Sequence, residues 1–278
     1  MSDDHVYLSL AEGHDDSDAR WAFGTGFEDP LHGVDQTVPE GTDAAQLAAF
    51  CLALGDDALV SAQRLAQWCT AAPELEEEVA LANIGLDLLG QTRLLYARAG
   101  QVDGTGRDED AYAYFRDADA FRNVRLAELP NGDFAFSITR LLVLSSWRLA
   151  LFERLATTTS DPVLAAIAAK GVKELAYHRQ YAAEWVVRLG DGTEESQRRM
   201  RDALTAIAPY VDELFASDGE LRTEVLAVLR QVTDAAGLVL PEATPVPGHG
   251  RDGDHTDHLA PLLAELQSVA RAHPEATW

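Results

Sequence analysis

Apolar residues recur three and four positions apart along nearly all of the chain from Thr42 onward, and no stretch alternates with a period of two. Such spacing predicts helices and no strands. The first helix spans about 42–69, with Thr42 as its N-cap and Gly55 as a kink. The second opens at Pro73, a residue suited to a first helical turn. Glu74, Glu76, Glu77 and Glu78 then favour its positive end, and Gly100 closes it. A short helix near 109–115 follows, and the segment "VRLAELPNGDFA" leads into a third long helix, about 133–157. Asp161 caps the fourth, Pro162 opens it and Gly190 ends it. A fifth, about 194–216, contains Pro209 and should kink there. Another runs over about 218–236 and stops at Gly237, and a last one covers Asp257 to about Ala272.

Long helices joined by short links imply antiparallel neighbours, so the expected fold is an all-α bundle with additional C-terminal helices. The third helix, "FAFSITRLLVLSSWRLALF", is apolar on nearly every side and should be central. The second has Leu75, Val79, Ala82, Leu86 and Leu89 on one side and Leu81, Ile84, Leu88 and Leu95 on the other. It should therefore be contacted on both sides. Residues 1–41 lack a helical period and carry runs such as "EGHDDSD". They read as an acidic extension, mobile or draped on the surface, ahead of a helical domain at 42–278.

The net charge of −24 argues against nucleic acid, whose phosphates need clustered cations, and against an anionic membrane. No apolar run approaches the roughly 20 residues of a membrane span. The opening "MSDDH" is unlike a signal peptide, and two cysteines without a cysteine-based metal motif read as a reduced cytoplasmic protein. Lys170 and Lys173 are the only lysines, and the other twenty basic residues are arginines. Cys51 and Cys69 fall on one predicted helix, about 27 Å apart at the usual helical rise, which excludes a disulfide.

The stretch "KELAYHRQYAAEW" places Glu174 and His178 one turn apart on a helix. A di-iron bundle needs a Glu from each of two helices and a Glu-x-x-His from each of two others. Four carboxylates neutralise the metal charge and two imidazoles complete the coordination. The inventory does not supply this set. Of eight histidines, only His178 lies inside a long helix, and the third helix has no acid between Asp133 and Glu153. The second helix offers Asn83, followed three residues on by Leu86, and the fourth offers Glu174, followed by Tyr177. Asn83, Asp87, Glu174 and His178 therefore read as the outline of a metal site without its ligands. Glu174 and His178 are expected to form an internal ion pair or hydrogen-bonded pair. Asn83 and Asp87, if they face inward, need partners such as Arg64, Arg140 or Lys170, and a solvated groove is the alternative. No catalytic residue is assigned. A second cluster, His249, Asp254, His255, Asp257 and His258, could hold zinc, against a helix cap at Thr256 or Asp257. Trp68, Trp147 and Trp185 read as core or interface anchors.

The segments "LALGDDALVSAQRLAQWCTAAPELEEEVALANIGLDLLGQTR", "ELPNGDFAFSITR", "AAIAAKGVKELAYH" and "GDHTDHLAPLLAELQ" resemble the C-type subunits of bacterial phenylacetyl-CoA epoxidase complexes. The resemblance covers about residues 48–278. It implies a ferritin-like fold and a multicomponent mono-oxygenase acting on the ring of phenylacetyl-CoA in phenylacetate breakdown. It further implies that the di-iron centre belongs to a catalytic A-type partner, which a C-type chain pairs with and supports without a cofactor of its own. The acidic surface fits, since coenzyme A is itself polyanionic. Two other readings stay open. One is a catalytic di-iron subunit with an atypical ligand set drawn from Asp56, Asp57, Asp87, Glu174 and His178. The other is a free-standing helical binding protein.

Overall fold

A computed structural model describes residues 31–216 and 219–276, and every described regular element is helical. Four long helices make the core: α1 (Ala44–Ala66), α2 (Leu75–Val102), then, after two short ones, α5 (Phe134–Thr158) and α6 (Pro162–Gly190). The short ones are α3 (Glu109–Tyr114) and α4 (Arg125–Glu128). Three more follow: α7 (Glu194–Val211), α8 (Leu221–Ala235) and α9 (Leu259–Ala272). α1 packs along α2 and α5 along α6, and the two hairpins meet through α2 and α6. α7 and α8 cover α5 and α6, while α9 lies against α3 and α1. This is the all-α bundle expected from the pattern, with the ferritin-like arrangement that the family resemblance implied. Residues from Val34 onward form one unit with the bundle, and Arg98 on α2 donates to the Gln36 carbonyl at 2.8 Å. Residues 1–30 of the acidic extension lie outside the described residues.

Several boundaries differ from the expected ones for identifiable reasons. Asp43, not Thr42, caps α1, because its carboxylate accepts from the amides of Ala45 and Gln46. α1 ends at Ala66, so Cys69 lies beyond it and is exposed, while Cys51 is buried. α2 starts after Pro73, at Leu75, and passes through Gly100 to Val102. Gly100 does not stop the helix; a Cβ there would sit 2.0 Å from the Arg107 carbonyl, so the glycine admits a loop. α7 ends two residues after Pro209 and tightens into a 3-10 turn at Asp212–Phe215. α9 begins at Leu259 with His258 in the cap position, whereas Thr256 turns its hydroxyl to Glu128. The α4 turn was hidden inside "VRLAELPNGDFA".

α1 and α5 are each long and apolar enough to cross a membrane, contrary to the reading that no run reaches that length. Their burial shows where the apolarity goes: 78% of the most apolar window of α5 is covered by the bundle, and 50% of that of α1. The first half of α2 is contacted on one face only, whereas from Gln91 to Val102 the helix is buried nearly all round. Leu81, Ile84, Leu88 and Leu95 are buried, whereas Leu75, Val79, Leu86 and Leu89 remain 70%, 52%, 63% and 38% exposed.

Gly55 is not a kink in a broken helix, since α1 runs through it. It is a close approach: a Cβ would meet Cε1 of Tyr96 at 2.4 Å. That ring cannot retreat, because it is fully buried and its hydroxyl donates to Asp56 at 2.6 Å. Gly55→Ala is expected to destabilise the fold by about 1–3 kcal/mol through overpacking. Gly90→Ala, where a Cβ meets nothing within 4 Å, should instead stabilise α2 by up to about 1 kcal/mol. Urea denaturation of both variants checks the contrast; an unchanged midpoint for Gly55→Ala would refute the close-packing argument.

Candidate functional site

Between the four long helices lies a partly open cavity of about 30 Å³, lined by Asp57 and Ser61 of α1, Arg140 and Arg148 of α5, and His178 of α6. Leu65, Leu88, Leu141, Leu144, Trp147 and Leu175 make the rest mostly apolar. In the same measure one water needs roughly 10–15 Å³, so the space is small.

Asp56 and Asp57 lie side by side in the buried stretch of α1. Asp56 takes the Tyr96 hydroxyl, the Arg116 guanidinium and, at 2.8 Å, the Arg122 amide. Asp57 accepts from both terminal nitrogens of Arg251, at 3.0 and 2.6 Å, and from the Val124 amide at 2.8 Å. Burial pushes the Asp57 carboxyl up, against the pull of Arg251 and Arg148. Arg148 approaches Asp57 only at 3.9 Å. Its Nε donates to Gln91 at 2.9 Å and its Nη1 to the Leu54 carbonyl at 3.0 Å. Gln91 in turn donates to Glu174 at 2.9 Å. Arg140, also fully enclosed, donates to the Leu129 carbonyl and to Asn131 Oδ1. Burial lowers Arg140 to about 9, with Arg64 adding to the effect, and lowers Arg148 to about 10.

The expected Glu174–His178 pair does not form. Glu174 binds Lys170, one turn earlier, as well as Gln91. His178 instead donates from Nε2 to Asp87 Oδ2 at 2.9 Å. The reason is the neighbours each one meets: Glu174 is taken by Lys170 and Gln91, while the fully buried His178 meets Asp87 of α2. Asp87 thus finds its partner in histidine rather than in Arg64, Arg140 or Lys170. Asn83 is exposed and joins none of these groups.

Two divalent metal ions do not fit this interior. Asp56 is tied to Arg116, Asp57 to Arg251, Glu174 to Lys170 and Asp87 to His178. The carboxylates of the atypical ligand set are therefore taken by other groups. The α5 wall, which would have to offer a ligand, instead presents two guanidiniums that repel a cation. Sequence inspection missed Arg148, Gln91 and Arg251. Arg148 was legible in principle, since an arginine two turns after Arg140 in so apolar a helix has to be buried. Arg251 was not, because its contact with Asp57 spans 194 residues.

The C-terminal cluster also separates. Among the described residues no three His, Cys, Asp or Glu side chains come together to hold a metal. Asp254, Asp257 and His258 are exposed, whereas His255 turns in toward Glu128. Glu128 is fully buried and accepts from Asn123, from His255 Nδ1 at 2.6 Å, and from the amide and hydroxyl of Thr256 at 2.7 Å. His255 Nε2 faces the Phe121 carbonyl at 2.9 Å. Both ring nitrogens thus meet acceptors, an arrangement that favours the doubly protonated ring. Trp68 and Trp147 are buried, and Phe134 stacks edge-on against both Trp68 and Trp185.

Comparison with known proteins agrees with this architecture. The model of a family described as phenylacetic acid catabolic protein matches residues 33–278. The chain is similar to the C-type subunit of 1,2-phenylacetyl-CoA epoxidase from Escherichia coli (strain K12), at 43% identity over 248 residues. That alignment takes in 84% of this chain and 99% of the relative.

The His255 cluster has a pH signature. Burial pulls the imidazole down, but the Glu128 hydrogen bond and charge, with the Phe121 carbonyl, outweigh it and hold the ring above its ordinary value. A folded value above the unfolded one, about 6.5, makes the contribution full below that pH and lost as pH rises through the folded value. The urea midpoint should therefore fall more steeply above neutrality in the wild type than in His255→Gln. NMR titration of His255 at or below 6.5 would contradict this assignment.

Proposed function

Because the chain belongs to the family of phenylacetic acid catabolic proteins, we propose that it is the non-catalytic, C-type subunit of a multicomponent di-iron mono-oxygenase. The complex epoxidises the ring of phenylacetyl-CoA in phenylacetate breakdown, and its metal centre resides in an A-type partner. One observation carries the non-catalytic half of the reading. The interior between the four long helices, where a di-iron bundle gathers carboxylates and imidazoles, is walled here by Arg140 and Arg148, and its carboxylates are already paired.

The exposed face of α2 supports the pairing half. Leu75, Val79, Leu86 and Leu89 recur at helical spacing and form an apolar stripe, and Tyr177 on α6 is half exposed as well. A metal-bearing bundle of related shape is the occupant this face suits, because a permanent interface of roughly 2,000 Å² or more is relatively apolar.

Three outcomes are expected. The purified chain, reconstituted with ferrous iron, should bind no stoichiometric metal by elemental analysis; two irons per chain would sink the reading. Co-expression with an A-type subunit should give one complex by size-exclusion chromatography, and Leu86→Glu should weaken it roughly tenfold or more. Independent elution of the wild-type chains at micromolar concentration, with full activity in the A-type fraction alone, would remove the assigned role. His178→Ala should cost about 1–3 kcal/mol of stability and leave turnover of the assembled complex intact. Lost turnover in a complex that still assembles and folds would give His178 a chemical role.

A further inference from the structure

The charges around the central cavity do not balance. Of its charged lining groups, Asp57 is held through both oxygens by Arg251 and His178 is held by Asp87. Glu174, the other nearby carboxylate, is occupied by Lys170. Arg140 and Arg148 are left. Arg140 has only neutral acceptors, the Leu129 carbonyl and Asn131. Arg148 has the Gln91 amide, the Leu54 carbonyl and a remote share of Asp57 at 3.9 Å. Both are fully enclosed. Guanidinium stays protonated at neutral pH even with its pKa lowered this far, and against that charge Arg140 has no carboxylate partner and Arg148 has only the distant Asp57 and the face of the Phe152 ring at 4.5 Å.

A second observation points to a ligand. Nη2 of Arg148 is buried and has no hydrogen-bond partner among the described residues. An unpaired buried guanidinium N–H is costly, and Arg148 lines the cavity, where a ligand could relieve that cost. Ser61, which also lines the space, brings a hydroxyl able to donate. The remaining lining is mostly apolar, which suits a weakly hydrated anion better than a cluster of waters. At about 30 Å³, where one water needs roughly 10–15 Å³ in the same measure, the space is sized for a small ligand.

We infer that the central cavity is a binding site for one small monovalent inorganic anion of halide size, seated against Arg148 and balanced further by Arg140. Where a di-iron bundle concentrates negative side chains around cations, this bundle has the opposite arrangement. The inference rests on the charges of this chain alone and does not depend on the oxygenase reading.

Bromide is the probe. Crystals of the full-length chain in bromide should show an anomalous peak in the cavity, within hydrogen-bonding distance of Arg148 Nη2. In solution, replacing gluconate by bromide at fixed ionic strength should raise Tm by a few degrees and saturate, as expected for a ligand that binds only the folded state. Arg148→Met should lose that increment. A parallel nitrate series distinguishes a halide from a small oxyanion. No anomalous peak in the cavity, identical melting in bromide and gluconate, or stabilisation by nitrate alone overturns the assignment. If Arg148→Met fails to fold, the wild-type diffraction and melting data decide the matter.

Discussion

Burying Asp56 and Asp57 next to each other in the middle of α1 obliges the rest of the chain to bring positive groups to that point. Two adjacent carboxylates out of water repel each other and lose their hydration, a cost of several kcal/mol per ion unless each is paired and hydrogen-bonded. The chain meets this demand with segments remote in sequence. Arg116 and the Arg122 amide come to Asp56, while the Val124 amide and Arg251 come to Asp57. The irregular stretch between α3 and α4 is thereby fixed over the bundle, and the C-terminal segment is fixed over that stretch. Glu213 and Glu128 repeat the device. Arg125 joins Glu213 at 2.8 Å and also holds the carbonyls of Val246, Pro247 and Gly248, while Glu128 holds Thr256 and His255.

These pairs are better read as specifying the fold than as sources of net stability. A buried ion pair recovers little beyond its desolvation cost, but removing one partner strands the other at a cost of about 3–5 kcal/mol. Apolar packing alone would let the loops at 115–124 and 246–256 settle in several ways. With four buried carboxylates each demanding particular donors, one arrangement satisfies all of them. The abundance of arginine over lysine has a use here, because a planar fork can serve a carboxylate and backbone carbonyls together. Arg251 does so, contacting Asp57, the Ala53 carbonyl and the Arg122 carbonyl.

The helices were legible in the sequence because apolar spacing is a local property. α5 and α6 were delimited to within a residue or two, since Asp133 and Asp161 are side-chain caps that announce themselves. Glycine was the weaker guide. Gly55 and Gly100 looked like breaks, yet both are places where a distant group comes too close for a Cβ, and distant groups are invisible in a local window. The site was legible in outline only. His178 is the one buried histidine among the described residues, but helical spacing proposed Glu174 as its partner while the fold supplied Asp87 from α2. Spacing along one helix shows which residues share a face. It does not show which face meets which neighbour.

The same limit explains why the positive interior escaped notice. Counting ligands on α5 shows that the helix has no acid between Asp133 and Glu153; it does not show that Arg148 is buried there and ties neighbouring helices together. That arrangement bears on how the bundle becomes stable. A bundle built around metal ions gains stability from binding them and so depends on metal supply and on the deprotonation of its ligands. Here the cations are covalently part of the chain. Arg148, through Gln91 and the Leu54 carbonyl, joins α5 to both α2 and α1 without an exogenous ion, and Lys170 satisfies Glu174 within α6. The helical scaffold can therefore be complete before any metal is delivered. The proposed role, in which the chain contributes a shaped surface such as the apolar face of α2, calls for a core with that independence from metal.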